Sequence, residues 1–176
     1  MDNISPIYRE NYNLVFDDHE MRVLNKLFND IGHNDILEAK FRSHIEHSIE
    51  LKKIYDKTIL FLNTVLIEFS ERFSLDMKVG NWGYRNEKGR SVEPCGHVHV
   101  RDYIYFTSIT TILGDGPWFM NNGSRESGYE GETIVFSEEY FLENYPELGL
   151  KPVLHGSPNY STKRLVLLCS FVPKSS

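Results

Sequence analysis

Residues 103–113 read Tyr-Ile-Tyr-Phe-Thr-Ser-Ile-Thr-Thr-Ile-Leu. Almost every side chain in this stretch is β-branched or aromatic, a composition that suits a strand packed between layers and penalises a helix. Further β-rich segments stand at 77–84, within 96–113, and at 133–136, 152–155 and 164–172, punctuated by Gly80, Gly83, Gly96, Gly114, Gly116 and Gly123. No helical pattern alternates with these segments. Short strands set off by glycine turns predict an antiparallel sandwich or jelly roll, not a parallel sheet wound with helices.

The chain before residue 76 reads differently. Over 17–30, Met21, Val23, Leu24, Leu27 and Phe28 fall on one helical stripe, with Asp17 or Asp18 placed to cap its start and Gly32 and Asn34 to end it. A second helical run begins near Asp35, with Ile45, Ile49, Ile54, Leu62, Val65, Phe69 and Phe73 on its buried face. It is one long helix or two with a bend near Ser48. The expected architecture is therefore α+β: one domain over 1–176, in which helices of 1–75 pack on a jelly-roll barrel of 76–176. No internal repeat or low-complexity linker interrupts it.

Composition narrows the function. Nineteen basic against twenty-five acidic residues leave a formal charge of −6, which argues against a partner made of nucleic acid, since phosphates call for a basic face. Hydrophobic residues make up 40% of the chain, enough for a globular core. Cys95 and Cys169 form neither a disulfide framework nor a zinc spacing. No apolar run approaches the roughly 20 residues of a membrane span, and the polar start of the chain does not read as a signal peptide. The expectation is a cytoplasmic protein with reduced cysteines.

Among the seven histidines, His44 and His47 sit on a charged helix and read as surface residues. His97-Val-His99 differs, because residues two apart on a strand project from one face and bring two imidazoles side by side. Such a pair either packs on an edge strand or forms two corners of a metal site completed from a facing strand. His155 ends a short β-rich segment and is the candidate third ligand. Arg164 opens the last strand, either as a solvated end or as a planar fork for a carboxylate. Tyr103 and Tyr105 share the face of His97 and His99 if alternation holds, and could hydrogen-bond a bound acid. Trp82, Trp118 and Phe119 stand near strand ends, as core or as lining of an opening, and the polar loop 121–131, with Arg125, has the composition of a lid or of a plain loop.

Taken together, the paired motif, a lone histidine 56 residues after His99 and an arginine 9 residues beyond it resemble the double-stranded β-helix non-haem iron oxygenases. The most specific part is residues 155–171, His-Gly-Ser-Pro-Asn-Tyr-Ser-Thr-Lys-Arg-Leu-Val-Leu-Leu-Cys-Ser-Phe. The resemblance covers 77–172. It implies an Fe(II) dioxygenase using 2-oxoglutarate, with His155 as distal iron ligand and Arg164 as partner of the cosubstrate's far carboxylate. One departure stands out. That family carries His-x-Asp or His-x-Glu, whereas this chain has His97-x-His99, with Asp102 three residues further on. Two ligand sets follow: His97, His99 and His155, or His99, Asp102 and His155, the latter needing a bulge to re-aim Asp102. The first resembles the three-histidine sites of cupin-type dioxygenases that work without 2-oxoglutarate. A non-catalytic jelly-roll binding module is the third reading.

Overall fold

The computed structural model describes residues 3–86, 96–98, 103–158 and 163–174. Helix α1 (Asp18–Ile31) starts where the sequence placed it: the Asp17 carboxylate accepts the Glu20 N–H, and the Glu20 carboxylate accepts the Asp17 N–H in return. It ends at Gly32, whose φ of 68° belongs to the left-handed region. The second helical run divides in two at Ser48. Helix α2 (Glu38–Ile45) is short, and α3 (Ile49–Phe73) begins with the Ser48 hydroxyl accepting the Leu51 N–H. Where that run was expected to begin as helix, Asp35–Leu37 instead forms an edge strand, β2.

The strands build two antiparallel sheets. The larger runs β1 (Ile7–Glu10), β7 (Thr133–Ser137), β4 (Phe106–Leu113), β9 (Leu165–Pro173), β3 (Met77–Asn86) and β2 in that spatial order. The smaller runs β6 (Ser124–Ser127), β5 (Trp118–Asn121) and β8 (His155–Gly156), and an isolated bridge between His97 and His155 adds a further strip beside β8. From β4 onward the chain passes from large sheet to small, back, to small and back again, which is the winding of a double-stranded β-helix. The two sheets face each other as a jelly-roll-like sandwich, and no closed barrel is present among the described residues.

Strand parity divides the core. Leu165, Leu167, Cys169 and Phe171 of β9 join the large cluster shared with Leu24, Phe41, Leu62, Val65 and Phe69 of the helices. Val166 and Leu168 turn the other way and, with Ile109, Phe119, Ile134, Phe136 and Val153, fill the space between the sheets. The helices thus cover one face of the large sheet and leave its other face for the small sheet. A single helical turn, α4 (Glu139–Leu142), follows β7 and seats Phe141 and Leu142 in the helix-side core.

Two expectations for the strands need correction. The stretch 96–113 is not one strand: Tyr103 has a φ of 75°, lies 64% exposed in a turn, and β4 begins only at Phe106. Segment 121–131 does not form an open lid either; β5 and β6 close as a hairpin around Asn122 and Gly123, both at positive φ.

Candidate functional site

The two histidines that the described residues bring together are His97 and His155. Each donates its backbone N–H to the other's carbonyl, at 2.8 and 3.2 Å. Directly opposed residues present their side chains on the same face, and the ring centroids lie 4.6 Å apart at 56°. His155 is in register with Phe119, a residue of the inter-sheet core, so its ring turns inward. There it stacks on Phe136 at 4.3 Å and 12° and is only 2% exposed.

A backbone carbonyl fixes the chemistry of that buried ring. His155 Nδ1 lies 2.9 Å from the Val153 carbonyl oxygen. An oxygen that only accepts puts the hydrogen on Nδ1 and leaves the lone pair on Nε2, an arrangement that orients imidazole as a metal ligand. Two adjacent imidazoles are a donor set suited to a first-row transition ion such as Fe(II). Among the described residues no group of three His, Cys, Asp or Glu is placed to hold a metal. His99 and Asp102, the two candidate completing ligands, lie outside the described residues.

Arg164 is no solvated strand end. It is 3% exposed, donates from Nε to the Asp115 carbonyl at 2.7 Å, and borders a polar cleft of about 410 Å3 with Asn25, Asn29 and Asn86. The tyrosines go elsewhere than expected. Tyr105 stacks on Tyr140 and packs against the helix-side core, and Tyr103 meets Tyr140 from its turn. The turn breaks the alternation that would have aligned them with the histidines. Trp82 belongs to the helix-side core, Phe119 to the inter-sheet core, and Arg125 lies over the Trp118 ring at 4.5 Å.

Sequence reading missed Glu138 and Thr107. Thr107 is in register with Phe136, the ring beneath His155, and Glu138 follows two residues after Phe136. Glu138 is 1% exposed, and burial pushes its carboxyl up to about 7 against a smaller opposing pull from the Thr107 hydroxyl. A groove of about 220 Å3 follows the sheet order from Thr107 over Leu168 and Ser170 to Asn81 and Gly83, and reaches the Asp35–Arg85 ion pair, 2.7 Å long, on β2 and β3. Only the glycine at 83 and the short side chains of Thr107 and Ser170 hinted at such a trough.

No protein-family model and no curated protein matches the sequence. Solved structures do. The viral collagen prolyl hydroxylase of Paramecium bursaria Chlorella virus-1 shares 15% identity at a TM-score of 0.59, over 97% of this chain and 91% of that one. The dioxygenase for auxin oxidation 1 of Arabidopsis thaliana, in complex with 2-oxoglutarate, shares 10% identity at 0.64, over 97% and 84%. HygX of Streptomyces hygroscopicus, with nickel and 2-oxoglutarate bound, shares 9% at 0.55, over 97% and 83%. The chain has the fold of the double-stranded β-helix oxygenases that its tail resembles.

Proposed function

We propose that this chain is a non-haem Fe(II) dioxygenase that uses 2-oxoglutarate to oxidise a small-molecule or amino-acid-like substrate. The observation that carries the reading is the His97–His155 pair, held by mutual backbone bonds, with the Val153 carbonyl setting the His155 tautomer. It gains support from the bound 2-oxoglutarate of two structures with the same fold. Iron with 2-oxoglutarate supplies the activation of O2 and the oxidation of a C–H bond. The chain's own share is to hold and enclose. His97 and His155 offer two imidazoles, and His99 or Asp102 a third donor. Arg164 offers a fork for the far carboxylate of the cosubstrate. Phe119, Phe136 and Val153 exclude water beside the ring of His155. The groove beside Thr107 seats the substrate. A reducing compartment such as the cytoplasm suits both Fe(II) and the free, buried thiol of Cys169.

A second reading keeps the metal and drops the cosubstrate. The His97-x-His99 motif favours it, because His99 stands where the resemblance calls for a carboxylate.

Anaerobic addition of Fe(II) and then 2-oxoglutarate, followed by the weak visible charge-transfer absorption of the chelate, tests both. Wild type develops the band, and His155→Ala loses iron and band together. Arg164→Met keeps the iron and raises the 2-oxoglutarate concentration for half-saturation by about 10- to 100-fold, the worth of a charge-assisted bidentate contact. Parallel His99→Ala and Asp102→Ala variants identify the third ligand. Iron uptake with no band selects the three-histidine reading. Failure of the wild type to take up iron overturns both.

A further inference from the structure

Each histidine of the pair has a glycine beside it, in the order Gly96-His97 and His155-Gly156. Neither glycine is among those at positive φ, so backbone conformation does not require a residue without a side chain at either place. Space does. A Cβ on Gly96 would stand 2.4 Å from Cη2 of Trp118, and one on Gly156 would stand 2.8 Å from Cε2, Cζ2 and Nε1 of the same indole. Trp118 is in register with Gly156 and is the neighbour of Phe119, so it occupies the face of the small sheet opposite to the one that carries the imidazoles. From β5 its ring extends across β8 to the strip carrying Gly96, a reach of two strand spacings. Arg125 lies over it at 4.5 Å from the ring centroid, a cation–π contact that holds the indole flat.

We propose that Trp118 is a positioning residue for the metal site, its indole bearing on the backbones at Gly96 and Gly156 from behind and so setting the separation and tilt of His97 and His155. This rests on the reading of those two histidines as metal donors. The physical case is one of leverage. A ligand pair hung from two separate backbone strips is only as well placed as the strips are. The mutual hydrogen bonds of His97 and His155 fix the spacing of those strips in the plane of the sheet. Nothing in those bonds fixes their tilt about the strand axis. A rigid ring in contact with both strips supplies that constraint, and the glycines let it come close enough to do so. Support of this kind around a ligand is worth about 10- to 100-fold in metal affinity.

The test measures Co(II) binding to the full-length chain by equilibrium dialysis, the ligand-field absorption of the Co(II) form, and the denaturation midpoint of the metal-free protein. Co(II) serves as a spectroscopic probe whose bands report ligand geometry. Trp118→Ala and Gly156→Ala are each expected to weaken Co(II) binding about tenfold or more and to shift the ligand-field bands. Trp118→Phe, which retains a ring but lacks the indole edge that meets Gly96, restores part of both. A residue that merely stabilised the fold would lower the denaturation midpoint and leave affinity and bands of the folded protein unchanged; that result overturns the proposal. If the alanine variants fail to fold, Trp118→Phe decides, with wild-type affinity and bands overturning the proposal and weakened binding with shifted bands supporting it. If the wild type binds no Co(II), the metal reading itself falls and the positioning role with it. Wild-type binding with unchanged variants sinks the positioning role alone.

Discussion

At the scale of the residue, Glu138 shows how much burial can do to one side chain. Its carboxyl is held near 7, against an ordinary value of 4.5, because the folded protein withdraws it from water. Below pH 4.5 the group is protonated folded or unfolded, and its burial carries no ionic penalty. Between 4.5 and 7 the unfolded chain ionises while the folded one resists, so stability falls as pH rises. Above 7 the loss is complete. Glu138→Gln removes the ionisation. It is expected to leave stability unchanged at pH 4.5 and to raise it by about 1 to 3 kcal/mol at pH 8, as read from urea unfolding at the two pH values. Nothing in the sequence marks this residue. Ser137-Glu138-Glu139-Tyr140 looks like the solvated start of a helix, and only the three-dimensional neighbours make one of its two carboxylates a buried acid.

At the scale of the element, α3 is tied to β3 by one buried polar contact. The Thr58 hydroxyl donates to the Ile54 carbonyl at 2.7 Å and accepts from the Tyr84 hydroxyl, inside a wall of Phe16, Phe41 and Trp82 rings. Thr58→Val leaves the Tyr84 hydroxyl buried with its partner gone and is expected to cost about 1 to 3 kcal/mol. The double change Thr58→Val with Tyr84→Phe should cost less than the sum of the two single changes, a coupling that thermal or denaturant unfolding of all four proteins measures. Legibility at this scale follows from how local each signal is. The capping box of Asp17 and Glu20 and the Ser48 cap lie within a few residues of the helices they start, and could be read directly. The break of 96–113 at Tyr103 and the three-residue strand β2 could not. A tyrosine at positive φ contradicts its own propensity, and β2 exists only because Asp35, Ile36 and Leu37 find Arg85, Tyr84 and Gly83, some 50 positions away.

At the scale of the whole molecule, the two sheets are joined on one flank by Arg9. Its guanidinium grips the Glu132 carboxylate with Nε and Nη2 at 2.5 and 3.0 Å and reaches Glu126 of β6 at 3.1 Å, linking β1 of the large sheet to the small one. Glu132 is 2% exposed and also accepts the Tyr129 N–H. Arg9→Met strands a buried carboxylate and should destabilise the protein by about 3 kcal/mol, and adding Glu132→Gln should recover much of that loss; unfolding of the single and double variants decides. The sequence disclosed the broad plan, helices first and antiparallel strands after, because periodicity and glycine punctuation persist over long stretches. It disclosed His155 and Arg164 as candidates, since one ends a short β-rich segment before a turn and the other opens the last strand. It offered Trp118 only as core or as lining of an opening, because the approach of its indole to Gly96 and Gly156 joins positions far apart in the chain.

The mutual backbone bonds of His97 and His155 carry a consequence for timing. Fifty-eight positions separate the two residues (155 − 97), so closing that loop is an entropic cost of folding, met before any ion arrives. An ion that then joins the two rings finds them already neighbours, and by mass action it favours the closed sheet edge over its frayed form. Among the described residues the strip at His97 is the outer one of the small sheet, and its local opening is therefore what an ion bound to both rings would suppress.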